Sequence, residues 1–518
     1  MKVLKKIAIC FTAALLLTSS AFATACGGTS GGEENNLRIT FYEGGFGRKW
    51  LETLASDFIE KKNAEGVTIK ITLDGQGADI DENVNTYLSS GRNLSDIYMV
   101  RTKADWASDV TSGYLANLNS VYETEVEKLD GSKIKVKDFM LDEIANMPYM
   151  QKVPEQGSSY PWIMPWSVLE TSIIYNEDLL KATVRSSTGG KWETAPKTMI
   201  ELAELCDDIN KTSDAKGYGN TQPIAPFSWS MGGVNYFQNI IFALWAQQQG
   251  VESSNIAGEG SYYDFWNFDS PDVWKQTGIT IAIDEWKKII VGDDGNWKNS
   301  LLSNTFQESA YAFCSQNAVM YLGGSFFENE MSGALDKNGD GKADFSYKMM
   351  TVPLSENGIE KDGHGAVVNY CSTDDMMFVP AKAANVELAK EFLAFMCNEK
   401  YLLDFTKETG CLRPFKYDPV KLTEGDENVK WSDFFYSCYD MMKSDYNIFN
   451  YPKTASEQNK VSLIYIYYRP QLFQGLGIAT VCGDYLLTKT GKEIMTGKGG
   501  VFSYAEKFWN ECKLKLEY

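Results

Sequence analysis

A single histidine, His364 in the stretch KDGHGA, serves the whole 518-residue chain. A Ser-His-Asp triad or a multi-histidine metal centre therefore has at most one residue to draw on, which removes several enzyme classes together. The ten cysteines offer little more. Cys10 and Cys26 stand in the N-terminal segment, and the other eight lie at least 14 residues apart, with no CxxC and no zinc-type spacing. An extracellular setting permits disulfides, but a chain of this size also keeps cysteines as small buried hydrophobes, and that reading is favoured. The densest run of ligand-type side chains is DKNGDGKADF, Asp336 to Phe345. Asp336, Asn338, Asp340 and Asp344 offer side-chain oxygens at alternate positions, Lys342 offers its carbonyl, and Gly341 permits a sharp turn. The twelfth position of a calcium loop, where a bidentate glutamate belongs, holds Tyr347, and there is no second copy. The pattern predicts a structural calcium clip, with a solvated Asx-rich turn as the alternative. Nothing in the sequence calls for a cofactor in function.

Cys26 raises a different chemistry. Lys2, Lys5 and Lys6 precede an apolar run from Ile7 to Leu17, then small residues lead to Ala23-Thr24-Ala25-Cys26. A cysteine at that place, followed by Gly27-Gly28, resembles the bacterial lipobox, whose thiol is acylated before cleavage. Residues 1–25 then read as a lipoprotein signal peptide. Residues 26–36, the lipidated Cys26 and the polar GGTSGGEENN, read as a flexible tether to the outer face of the membrane. No other segment approaches the apolar length of a span. The formal charge of -20 becomes -23 when the three signal lysines leave with no acid beside them. That surplus argues against nucleic acid and against anionic head groups as partners.

Length implies two or three domains or lobes. Hydrophobic residues at 44% and charged residues at 23% are those of a soluble globular chain, and aromatics at 13% suit stacking on flat ligands or sugars as well as a core. LRITFY from Leu37 reads as a strand, Trp50 to Lys62 as a helix, VTIKITL as a strand, Asp81 to Ser90 as a helix and SDIYMV as a third strand. This alternation predicts a parallel α/β lobe whose ligand sites lie after Phe41, Leu73 and Val100. The middle of the chain repeats the style, with Thr198 as a helix N-cap, a helix over 239–248 and strands over 318–322 and 347–353. The last hundred residues read as mainly helical.

Seven blocks in order resemble the extracellular solute-binding lipoproteins of ATP-driven importers, in the carbohydrate branch that includes maltose-binding protein. They are TFYEGG with VTIKITLDG, SSGRNLSDIYMV, VLETSIIYNEDLL, PKTMIELAELC, AVMYLGGSFF, VPAKAANVELAKEFLAFM and TGCLRPF. Met199 and Phe326 replace tryptophans of the family pattern. The blocks cover about 37 to 415; the tail from 416 matches less clearly. The resemblance implies a two-lobe, periplasmic-binding-protein-like α/β fold with hinge strands near Val168–Ile174 and Ser372–Val379 and a mainly helical C-terminal extension. Lobe one would be 37–167 plus 373–415, and lobe two 168–372 plus 416–518. It implies a monomer that captures a sugar between its lobes and delivers it to a membrane permease.

A sugar needs aromatic platforms for its C–H face and charged or amide groups for its hydroxyl rim. The platform candidates are Trp162 and Trp166 in PWIMPW, Phe227 and Trp229 in APFSWS, and Phe326 after Gly323-Gly324-Ser325, with Ser325 itself a ligand-binding candidate. Glu43 and Arg101, at strand C-termini, are candidates for the rim, with Asp374, Asp375 and Arg413 on the hinge side and Tyr42 as a weaker choice. The same scaffold binding a peptide or polyamine, and a secreted glycoside hydrolase with two carboxylates, are the competing readings.

Overall fold

The computed structural model describes residues 35–443 apart from 78–79, 102–108, 110–111, 146–160, 182–190, 193, 216–223, 231–235, 268–271, 273–274, 293–296, 357–368 and 373–374; beyond 443 it describes 447–448, 489–497, 506 and 510. The strands, in chain order, are β1 (Asn36–Tyr42), β2 (Lys70–Gln76), β3 (Ile97–Val100), β4 (Glu125–Glu127), β5 (Lys133–Lys135), β6 (Met164–Pro165), β7 (Leu169–Asn176), β8 (Ala225–Ser230), β9 (Ser300–Ser303), β10 (Ala318–Gly324), β11 (Tyr347–Met350), β12 (Asn369–Ser372), β13 (Met376–Phe378) and β14 (Asn447–Ile448).

Two sheets divide them. One has the order β2-β1-β3-β13-β6, the other β14-β12-β7-β10-β8-β9 with β11 also on β7, and β4-β5 form a separate hairpin. In the first sheet β1 runs parallel to β2 and β3, as the strand–helix–strand pattern requires. Trp50, Leu54 and Phe58 are buried on one face of the helix Lys49–Ala64, which follows from their spacing of four residues. In the second sheet every residue of β7, LETSIIYN, is buried, so this strand has a covered face on both sides.

The chain passes between the sheets at β6–β7 and at β12–β13, with Val168 also bridged to Leu412. One hydrophobic cluster joins residues of 37–169 with residues of 376–415, including the helices Val386–Phe395 and Glu399–Thr409. A second draws on 173–352 with Ile448, Ile494 and Met495, and a third places Phe434, Cys438 and Met441 against Ile174 and Tyr321. Local signals set many helix starts. Thr198 Oγ1 accepts from the Glu201 N–H, Thr305 and Glu308 form a capping box, and Ser432 caps the helix Asp433–Met442. The tail, expected to be mainly helical, also contributes a strand, β14, to the second sheet. The six described cysteines are buried and free of disulfides.

The loop Asp336–Asp344 closes on itself. Asp336 Oδ1 accepts from the N–H groups of Gly339 (2.6 Å) and Asp340 (3.0 Å), and its Oδ2 from Gly341 (2.8 Å). Asp340 accepts from the Lys342 N–H, and Asp344 from the Lys337 N–H and the Asn338 amide. Gly339 and Gly341 take the left-handed conformation that the turn needs (φ 72° and 80°). Among the described residues no group of three His, Cys, Asp or Glu side chains is placed to hold a metal ion. This is the geometry of an Asx-rich turn, and the calcium clip rests on the residue pattern alone.

Candidate ligand-binding cleft

The loops after β1 and β3 meet elements of the second lobe. After β1, Gly44–Phe46 form one 3₁₀ turn; a Cβ on Gly45 would sit 2.9 Å from the Phe326 ring and 3.3 Å from Glu330 Cβ. Only glycine lets the backbone approach so closely. The Gly45 carbonyl accepts from Asn329 Nδ2 at 2.7 Å, and the Phe46 and Phe326 rings lie 6.3 Å apart. After β3, the Arg101 guanidinium stands over the Tyr42 ring, 4.8 Å from its centroid.

From the second lobe come Tyr236, Phe326 and Glu330. Tyr236 precedes the helix Phe237–Gln249 with φ 51° and ψ 7°, a left-handed conformation that costs a bulky side chain energy and marks sites where the surroundings hold it in place. Its ring meets Phe326 at 5.9 Å and Phe306 at 5.6 Å. Burial raises the Tyr236 hydroxyl above its ordinary range; Glu330, Tyr42 and Asp375 raise it further, and Arg101 opposes them. Four groups from the other lobe, the hinge and the neighbouring helix therefore converge on one phenol. Glu330 keeps an exposed surface, yet the walls around it desolvate its carboxylate and raise its pKa, as happens in a concavity rather than on an open face. Among the described residues Glu330 forms no ion pair. At the floor, Asp375 accepts from Ser167 Oγ at 2.5 Å, joining the two hinge crossings.

The arrangement has aromatic faces and an acid, a cation and phenols facing one interlobe space. Residues 53–425 of the chain match the bacterial extracellular solute-binding protein family. This chain is a bacterial extracellular solute-binding protein. No curated protein sequence matches it. Among solved structures the binding protein is similar to RafE in complex with raffinose (15% identity, 92% of this chain and 99% of that one, TM-score 0.53). It is similar to a chitin oligosaccharide binding protein (15%, 93% and 100%, TM-score 0.55). It is similar also to UgpB from Mycobacterium tuberculosis in complex with glycerophosphocholine (13%, 94% and 100%, TM-score 0.60). At such identities the likeness is one of fold, and it is the two-lobe fold of solute-binding proteins.

Within the binding protein the sequence candidates separate. Arg101, Phe326 and Asp375 lie where the lobes meet, with Phe326 (9% exposed) and Asp375 (6%) covered by the contacts described, and Trp162 is half-buried against the first core. Six candidates do not face it. Trp166 is 1% exposed and packs on Phe46, Trp50 and Phe405. Phe227 and Trp229 are fully buried on β8 against Trp286, where alternation within a sheet covered on both sides leaves no open face. Ser325 is 2% exposed, its hydroxyl donating to Cys411 Sγ. Glu43 is held in an ion pair with Arg48 at 3.3 Å, within its own lobe. Arg413 lies inside the first core over the Phe405 ring, and burial lowers its pKa to about 10. Asp374, His364 and Cys26 lie outside the described residues.

Tyr236, Asn329 and Glu330 went unread in the sequence. Glu330 follows Phe326 by four residues, one helical turn, which places both on one side of the turn Phe327–Glu330. Tyr236 follows the glycine pair Gly232-Gly233, a signal of an irregular backbone.

Proposed function

We propose that this protein is the capture component of an ABC importer and takes a sugar or oligosaccharide between its lobes. The observation that carries the reading is the composite wall: Tyr42 and Arg101 from one lobe, Tyr236, Phe326 and Glu330 from the other, and Asp375 at the hinge. Aromatic rings accept the C–H face of a pyranose, and ionised groups accept or donate to its hydroxyls. A ligand touching both lobes binds the closed arrangement better than the open one and shifts the population toward it. The Asn329–Gly45 hydrogen bond and the Phe46–Phe326 contact are closing contacts of this kind. Raffinose and chitin oligosaccharide, named for the similar folds, support the sugar class. Glycerophosphocholine, named for a third, makes a non-sugar solute the second reading. No bond is made or broken in such a role.

The N-terminal pattern supports export and acylation at Cys26, with the GGTSGGEENN segment as a tether that lets a monomer swing toward its permease. Among the described residues no helix is long and apolar enough to cross a membrane. Incubation with malto-, xylo-, chito- and raffinose-type oligosaccharides tests the reading. Thermal stabilisation without cleavage is expected; cleavage would indicate a hydrolase, and stabilisation by glycerophosphodiesters or polyamines alone would move the ligand out of the sugar class.

A further inference from the structure

Beneath the helix Asp433–Met442 lies a strip of polar side chains that the cleft does not use. β12 pairs antiparallel with β7, Cys371 opposite Glu170, and parallel with β14, Asn369 opposite Asn447. Carrying the first ladder one pleat further sets Asn369 beside Ser172. Residues opposite one another share a face, as do residues two apart on one strand. Glu170, Ser172, Asn369 and Asn447 therefore project from one face of three adjacent strands. The helix covers that face. Ile174, two residues beyond Ser172, packs with Phe434, Cys438 and Met441, while Asn369 Nδ2 donates to the Met441 carbonyl (3.3 Å) and Asn447 Nδ2 to that of Met442 (2.7 Å).

The four side chains share a defect. Glu170 Oε1, Ser172 Oγ, Asn369 Oδ1 and Asn447 Oδ1 are all buried and have no hydrogen-bond partner in the protein. Glu170, Ser172 and Asn369 are at most 1% exposed. Turning the amides over does not cure this, because their NH₂ groups already serve the helix carbonyls and an oxygen in that place would repel them. The carbonyls at this end of the helix carry its partial negative charge. So one buried strip gathers four oxygens, a carboxyl that burial raises to about 7, and the C-terminal end of a helix, with no positive group among the described residues paired to Glu170.

We propose that this strip binds one monovalent cation, sodium or potassium, which fastens the C-terminal tail to the hinge strands. Hard cations take oxygen ligands, and a single carboxylate among neutral oxygens balances one positive charge; a calcium ion draws several carboxylates. The ligands come from β7 and β12, which both run into the hinge, and from β14 of the tail. The ion would thus tie the segment beyond residue 416 to the strands that lobe closure bends. The inference does not depend on which solute the cleft takes.

The test is the melting temperature of the purified protein in sodium, potassium or choline chloride at equal ionic strength. A saturable rise of about 2–4 °C with sodium or potassium over choline is expected. Asn447→Leu, at the half-buried end of the strip, is expected to abolish the ion dependence while the protein still folds. Crystals soaked in thallium or rubidium salts are expected to show an anomalous peak among the four oxygens. Equal melting in all three salts, together with ordered water and no anomalous peak there, would overturn the proposal. A rise with calcium in place of sodium or potassium would equally contradict a monovalent site.

Discussion

Phe326 is the residue on which the most contacts of the cleft turn, touching Phe46 and Gly45 of one lobe and Tyr236 of the other. Replacing it by alanine removes a ring from both the platform and the closing contact. Affinity for the cognate sugar is expected to fall by about 1–3 kcal/mol, roughly 5- to 150-fold, in a calorimetric titration. Unchanged affinity would place the sugar elsewhere. At this scale the sequence was partly readable. A phenylalanine just after two glycines and a serine is a legible platform candidate, because the glycines let the backbone come close. Trp166, Phe227 and Trp229 carry the same chemistry, but whether an aromatic faces solvent or core depends on what covers its strand. For β8 the cover is the helix Thr277–Val291, bearing Trp286, a long-range contact that no local pattern states.

At the scale of elements, the motifs that were most legible turn out to be folding devices. Asp96, in the block SSGRNLSDIYMV, accepts from the Arg38 N–H and the Asn385 N–H, each at 2.8 Å, and so binds β1 to the start of the helix Val386–Phe395. Asn176, in the block VLETSIIYNEDLL, accepts from the Leu179 N–H and starts a helical turn. Such residues have short-range reasons and can be read; cleft residues such as Tyr236 and Glu330 acquire meaning only when the lobes meet. Asp418 offers an element-scale test. Burial acts to raise its carboxyl, but hydrogen bonds from Tyr439 (2.6 Å), Lys443 (3.0 Å) and the Lys421 N–H outweigh it and hold the pKa at about 2. A depressed carboxyl stabilises the fold above its ordinary pKa near 4 and loses that contribution as pH falls through about 2. Asp418→Asn is therefore expected to lower stability by about 1–2 kcal/mol near neutrality, with the difference shrinking between pH 4 and pH 2 in thermal melts. A deficit independent of pH would assign the loss to packing instead. The Asp336 loop supplies another. Because its carboxylates are engaged by its own N–H groups, chelator is expected to leave the melting temperature unchanged, and a fall on calcium removal would instead establish the calcium clip.

At the scale of the molecule, two sheets joined by crossings at β6–β7 and β12–β13 make a cleft whose walls belong to different lobes. The alternation of strands and helices foretold the α/β class, and the order of seven blocks foretold two lobes. The extra strand of the tail did not show, since β14 is two residues long and pairs with a strand 78 positions earlier. A cleft of this kind serves capture and release: each lobe holds half of the contacts, so the ligand's binding free energy becomes the preference for closure. The most direct test is calorimetric titration of the purified protein with the oligosaccharide panel, with small-angle scattering of the same samples. Saturable binding of one sugar per protein is expected, with a smaller radius of gyration when bound and the sugar recovered intact. Cleavage of the sugar, or no binding of any saccharide at millimolar concentration, would contradict it.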